Sequence, residues 1–163
     1  MRSFQPRIRR TRRGDFQLKL PKAEREALRA LPSELRDLLE RNDPGVGRLF
    51  PPAYGDDAER NAEYEELVRA DLVSQRLAAL DIVESTLDAD RLDEEQITAW
   101  LGALNDLRLV LGTRLDVTED LNPDDVAEDD PRAPSLALYY YLGWLEEQVV
   151  EALAAGLPDS PED

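Results

Sequence analysis

The 163-residue sequence contains no cysteine and no histidine, and these two absences exclude several kinds of site. Without cysteine there is no disulfide framework, no thiolate metal site and no cysteine nucleophile. Without histidine the sequence lacks the usual general base near neutral pH and the commonest metal ligand. These absences remove the commonest catalytic and metal-binding side chains, and we assign no catalytic residue, no metal ligand and no cofactor.

Long hydrophobic runs are also missing. No segment approaches the roughly 18 apolar residues that a membrane-spanning helix needs, and the mean hydropathy is −0.53. Paired arginines at 9–10 and 12–13 resemble the start of an export signal, but no apolar segment follows them. We therefore expect a cytoplasmic protein with no membrane contact. Its acidic excess favours a monomer or a small homo-oligomer.

Charge is present in abundance but is distributed unevenly, around a formal net charge of −16. The first 13 residues contain six arginines and no acidic residue, whereas the other 150 contain 14 basic and 36 acidic groups. Such asymmetry is typical of an interaction segment attached to a folded body. The acidic excess of the body argues against a protein that coats nucleic acid.

The basic arm, residues 1–21, has the pattern of a β-hairpin. A strand-like stretch covers 4–11, and apolar and polar residues alternate over 16–20. Gly14 lies between the two stretches, where a turn is needed, and Pro21 ends the segment.

The remaining pattern is helical. Leucines recur at three- and four-residue steps over 22–41, and Pro32 predicts a break near Leu31. A long helix without glycine or proline is predicted from about 57 to 87. Asp93 and Gln96 have the spacing of a capping box and begin the next helix.

The last helix is predicted from Ser135, as N-cap, to about residue 155. Loops are expected near 42–56 and 116–133, and a tail at 158–163. The predicted fold is mostly α: a compact bundle of about four to five helices over 22–157, with one long central helix and the N-terminal hairpin.

The arginines of the arm are the first candidate site. They either contact a phosphate backbone or a protein partner, or they pair with the acidic body as part of an edge hairpin. DNA contact, if there is any, is expected only through this arm. The arginines concerned are Arg7, Arg9, Arg10, Arg12 and Arg13.

A second candidate lies in an apolar helix. Asn105 and Arg108 share a helix face next to a leucine stripe, and Asp106 lies between them. These residues form either a polar network that fixes helix packing or a contact for a partner. Trp100 is a large aromatic anchor of the kind found in cores and in interfaces. Tyr54 closes a Pro-Pro-x-Tyr segment, which is either a ligand motif or a turn that anchors the tyrosine on the bundle.

Carboxylate-rich segments offer a third kind of candidate, an all-oxygen metal site. Several acidic residues lie on the long helix and in the loop near 116–133. They show no calcium-loop spacing, and the di-metal bundle motif needs histidine. A solvated acidic surface is the simpler interpretation.

Four stretches together resemble the actinobacterial domain-of-unknown-function family 2017. They are RLFPPAY at 48–54, LAALD at 77–81, WLGALNDLRLVLGTRL at 100–115 and LGWL at 142–145, and the similarity covers nearly the whole sequence. That family is connected with an actinomycete oxidative stress regulator. Its genes often lie beside a Clp-protease adaptor and a cysteine-synthesis cluster.

The resemblance implies a cytoplasmic, non-enzymatic regulator that works with a sigma factor and RNA polymerase to raise cysteine biosynthesis under oxidative stress. The alternative is an adaptor or structural partner in Clp-type protein turnover. A thiol switch is not implied for this chain, because reversible redox sensing by pairing needs cysteine and none is present.

Overall fold

Most of the chain forms α-helices in the computed structural model, which describes residues 6–41, 43–50, 58–118 and 120–156. The helices of the described chain are α1 (Lys22–Arg29), α2 (Leu31–Glu40), α3 (Ala58–Thr86), α4 (Glu94–Arg114) and α5 (Ala133–Ala154). Short 3₁₀ turns occupy Pro44–Leu49 and Pro123–Asp125, in the two segments expected to be loops. The mostly α prediction, with one long helix, is confirmed.

The breaks between helices follow local rules. Helix α1 ends at Arg29 and α2 begins at Leu31, because Pro32 is tolerated only in the first turn of a helix. Helix α4 begins with a complete capping box: the Asp93 side chain accepts from the backbone of Gln96, and the Gln96 side chain accepts from that of Asp93.

Helix α5 starts two residues before the predicted cap Ser135, at Ala133. Pro134 lies in its first turn, where its missing N–H and fixed φ favour helix initiation. The proline, rather than the serine, therefore marks this end of the helix.

The predicted hairpin is present and is part of a three-stranded antiparallel sheet in the order β1 (Ile8–Arg10), β2 (Phe16–Leu18) and β3 (Arg91–Leu92). Ile8 pairs with Leu18, and Phe16 pairs with both Arg10 and Leu92. Gly14, in the connecting turn, has a φ of +92°, which is costly for any residue with a Cβ. The sequence pattern did not predict β3, a strand of two residues.

The core lies between the sheet and the helices. Helix α4 packs against both α3 and α5, and β1 packs against α5. The inner residues of the hairpin, Ile8, Phe16 and Leu18, are buried in the same cluster as the α4 residues Ile97 and Trp100. The hairpin is therefore part of the folded core and not an appended arm.

Candidate functional site

Arg7 attaches the hairpin to the helical body. Its guanidinium donates to the Glu24 carboxylate of α1, with an Nη2–Oε2 distance of 2.9 Å, and this hydrogen bond raises the pKa of Arg7. The guanidinium also lies over the Trp144 ring, 5.5 Å from its centroid. The Arg7 backbone N–H donates to Oε1 of the buried Gln148. Arg7 is thus bound on several sides.

Arg10 binds the end of α5. Its Nε donates to the carbonyl of Ala152 at 3.2 Å and its Nη2 to that of Leu153 at 3.4 Å. The last carbonyls of a helix have no partner within the helix, and a cation there is favourable. The same guanidinium lies 4.7 Å from the Phe16 ring centroid. Arg10 is therefore a structural residue.

Arg9, Arg12 and Arg13 are exposed. The only side-chain bond of Arg9 to a described residue is to Gln17 Oε1, at 3.3 Å. Neither Arg12 nor Arg13 forms an ion pair with any residue in the described ranges. The structure thus divides the arm into two arginines that bind the body and three that face solvent.

Asp106 faces away from the surface, towards α3. It is 4% exposed, and Nη1 of Arg76 lies 2.5 Å from its Oδ1. Burial raises the pKa of the Asp106 carboxyl, and the Arg76 contact opposes that rise. Arg76 also donates to the Leu49 carbonyl at 3.1 Å and lies 5.4 Å from the Phe50 ring centroid. The pair connects α3, α4 and the 3₁₀ turn.

Asn105 and Arg108 lie on the other side of α4, beside α5. Arg108 Nε donates to Glu146 Oε2 at 2.8 Å, and its Nη2 donates to Asn105 Oδ1 at 3.4 Å. Trp100 is fully buried, and its indole N–H donates to the Thr86 hydroxyl at 2.8 Å. Trp100 and Asp106 therefore lie in the packing network, Asn105 is held by Arg108, and of these residues Arg108 borders an open surface. Tyr54 lies outside the described residues.

That open surface is a groove of about 770 Å³ along α5, here named the α5 groove. Its lining residues are Arg108, Tyr139, Tyr140, Gly143, Trp144, Glu146, Glu147, Val150 and Glu151. A second cleft of about 450 Å³ shares Val150 and continues past Leu101 to Gly156. The outer side of α5 is thus concave over most of its length.

The α5 groove combines apolar anchors with uncompensated negative charge. Val150 is 49% exposed, and it is one of two large hydrophobic side chains that are exposed in the described part of the chain. Glu146 is neutralised by Arg108, whereas Glu147 and Glu151 pair with no cation among the described residues. Aromatic and aliphatic anchors rimmed by charge are typical of protein interfaces.

Of the groove residues, sequence reasoning singled out Arg108 as a candidate contact but missed Val150, Gly143 and Glu147. The signal for Val150 was its position next to Val149, which is fully buried on the inward stripe of α5. Because adjacent helix residues point about 100° apart, an apolar residue next to the buried stripe lies outside the core and is exposed. Gly143 lies in the groove wall beside Arg108, and a Cβ there would stand 3.5 Å from Cδ of Arg108, an ordinary packing distance.

Within the described ranges, no three acidic side chains converge on a point that could hold a metal ion. No helix of the described chain combines the length and apolar character needed to cross a bilayer.

Comparisons with known proteins give two findings. The family described as "Domain of unknown function (DUF2017)" matches residues 1–153. The "Putative oxidative stress regulator AosR" of Mycobacterium leprae (strain TN) is 31% identical over 130 residues, which cover 69% of this chain and 59% of that protein.

The "Oxidative stress regulator AosR" of Mycobacterium tuberculosis (strain ATCC 25618 / H37Rv) is 28% identical over 128 residues, which cover 68% of this chain and 58% of that protein. The chain therefore spans less than two thirds of the length of these curated relatives. No solved structure matches the chain significantly. From the family match, which covers nearly all of the sequence, the chain belongs to the DUF2017 family.

Proposed function

We propose that the chain is a non-enzymatic cytoplasmic regulator that acts on transcription through protein contacts, with a sigma factor or RNA polymerase as partner. Two relatives are named oxidative stress regulator, which supports a regulatory role. The observation that carries the proposal is the α5 groove, where Val150 and aromatic side chains lie beside unpaired carboxylates.

The groove fits a basic protein segment with apolar residues on one side. Tyr140 and Trp144 offer large, stiff anchors, and such residues are enriched among those that dominate binding energy. Glu147 and Glu151 attract Lys or Arg, and the formal net charge of −16 extends that attraction over a longer range. Charge of this kind accelerates association more than it raises affinity.

The redox signal is assigned to the partner. Reversible thiol pairing is the side-chain chemistry that suits an oxidant switch, and these 163 residues contain no cysteine. The chain would then respond to oxidative stress by binding a partner whose own thiols have changed state, and its output would include cysteine biosynthesis.

The test is a calorimetric titration of the chain with an alternative sigma factor and, separately, with core RNA polymerase. Binding to one of them is expected at low salt, and Val150→Asp should weaken it by about tenfold or more. Leu67→Asp is the matched control, because Leu67 is an aliphatic residue of α3, 81% exposed and outside the groove. No binding at low salt to either protein, or equal effects of the two variants, would contradict the proposal. Binding to Clp components instead would favour the turnover adaptor.

A further inference from the structure

The outer face of the three-stranded sheet concentrates positive charge on an otherwise acidic protein. Residues 6–22 contain seven basic side chains and one acidic side chain. Two of the seven, Arg7 and Arg10, are occupied by the body. Of the other five, Lys22 begins α1, and the exposed cations Arg9, Arg12, Arg13 and Lys19 belong to the hairpin. We call these four the cationic sheet face.

The geometry of the sheet brings these cations together. Arg9 pairs with Gln17 across β1 and β2, and Gln17 pairs with Arg91 across β2 and β3. Because side chains alternate along a strand, Ile8, Phe16 and Leu18 enter the core while Arg9 and Lys19 lie on the solvent side. Arg12 and Arg13 extend the same charge to the turn.

A small pocket of about 140 Å³ opens on this side of the sheet, lined by Pro6, Arg9, Gln17 and Lys19. Two cations and an amide therefore border one concavity. Guanidinium and ammonium groups of this kind bind phosphate oxygens through charge-assisted hydrogen bonds.

Asp15 in the hairpin and Glu24 in α1 both have cationic partners. Asp15 accepts a hydrogen bond from the Thr11 hydroxyl and lies 3.3 Å from Nη1 of Arg91, and both contacts lower its pKa. Glu24 is held by Arg7. None of the four cations of the sheet face forms an ion pair within the described chain.

We propose that the cationic sheet face binds the phosphodiester backbone of nucleic acid. Among the residues that the structure describes, the face offers cations at its centre and its tip and no exposed large apolar side chain. We therefore expect it to contact the backbone and not to read base sequence. The site is separate from the α5 groove and does not depend on the protein partner proposed above.

The test is fluorescence anisotropy of a labelled random-sequence DNA duplex titrated with the full chain, from about 50 to 200 mM salt. The logarithm of the association constant should fall linearly with the logarithm of salt concentration. Its slope should be no steeper than about −3.6, because each of the four cations contributes about −0.9. The double variant Arg9→Ala, Lys19→Ala should reduce the steepness of that slope by about 1.8.

Arg114→Ala is the matched control, because Arg114 is an exposed cation at the end of α4, away from the sheet. It should leave the slope unchanged. Circular dichroism melting should show that all variants fold, since the substituted side chains are exposed. No binding at about 50 mM salt, or the same slope in the double variant as in the wild type, would overturn the proposal. So would equal affinity for poly-glutamate of matched charge, since the face would then bind any polyanion.

Discussion

Arg76→Met should destabilise the protein much more than the loss of a surface arginine of similar exposure, although the Arg76 side chain is 26% exposed. Arg76 is the ion-pair partner of the Asp106 carboxylate, whose side chain is 6% exposed. Removing one member of a buried pair strands the other charge, which costs about 3–5 kcal/mol. Methionine keeps most of the aliphatic packing of the arginine stem, so the variant chiefly tests the charge.

Protonation of Asp106 limits how much free energy of unfolding the Arg76→Met variant can lose. A stranded Asp106 can take up a proton, and holding a carboxyl of ordinary pKa, about 3.9, in its neutral form at about pH 7 costs about 4 kcal/mol. The same step costs about 1.5 kcal/mol near pH 5. The loss from the stranded charge should therefore shrink by up to about 2.7 kcal/mol between these two pH values.

The sign of this pH dependence follows from the linkage between proton binding and folding. Burial raises the pKa of Asp106 in the folded protein, so the folded state binds this proton more readily than the unfolded state. Stability from this group is then greatest below the ordinary carboxyl pKa and declines as pH rises through the raised pKa. Loss of Arg76 raises the pKa of Asp106 further and extends the decline to higher pH.

Urea unfolding near pH 7 and near pH 5 measures the effect. Arg36→Met is the control, because Arg36 is 27% exposed against 26% for Arg76, but its partners Asp81 and Glu84 are 70% and 40% exposed. We expect a loss below about 1 kcal/mol for that surface pair. Equal losses for the two variants, or a loss for Arg76→Met that does not depend on pH, would refute the reasoning.

Four further predictions concern α4 and its N-cap, each measured as the free energy of unfolding in urea. Trp100→Phe removes the hydrogen bond to Thr86 and core volume, and should cost about 2–3 kcal/mol; a loss below about 0.5 kcal/mol would contradict the buried contact. Asp93→Ala removes the capping box and should cost about 1 kcal/mol. Gly102→Ala should stabilise by up to about 1 kcal/mol, because its Cβ would meet nothing within 4 Å. Gly112→Ala should be about 1–3 kcal/mol less stable than Gly102→Ala, because its Cβ would stand 2.9 Å from a tyrosine ring.

Local rules explain the part of the fold that the sequence predicts. The break at Pro32, the capping box at Asp93 and the long helix α3 each depend on residues within one or two turns of each other. The hairpin has a period of two and a glycine in its turn, and it too is local.

Features that join distant segments were not predictable in this way. Strand β3 has two residues, and it is a strand only because β2 lies beside it. Asp106 is 30 residues from Arg76, and Arg108 is 38 residues from Glu146. Helical periodicity places these polar residues on a face but does not name the partner on the next helix.

The candidate site, like the fold, could be predicted from the sequence only in part. Composition identified a basic arm, and only the folded chain separates Arg7 and Arg10, which bind the body, from Arg9, Arg12 and Arg13, which do not. The α5 groove depends on the packing of α5 against α4, which sequence patterns do not describe.

The central claim, that the outer side of α5 is the surface that binds a protein partner, is tested most directly by nuclear magnetic resonance. Backbone amide shifts of the isotope-labelled chain would be followed during titration with the sigma factor or polymerase fragment that binds in calorimetry. We expect the largest changes at Gly143, Glu147 and Val150, with little change on α3 around Leu67. Changes confined to α3 or to the sheet, with the α5 groove unperturbed, would contradict the account.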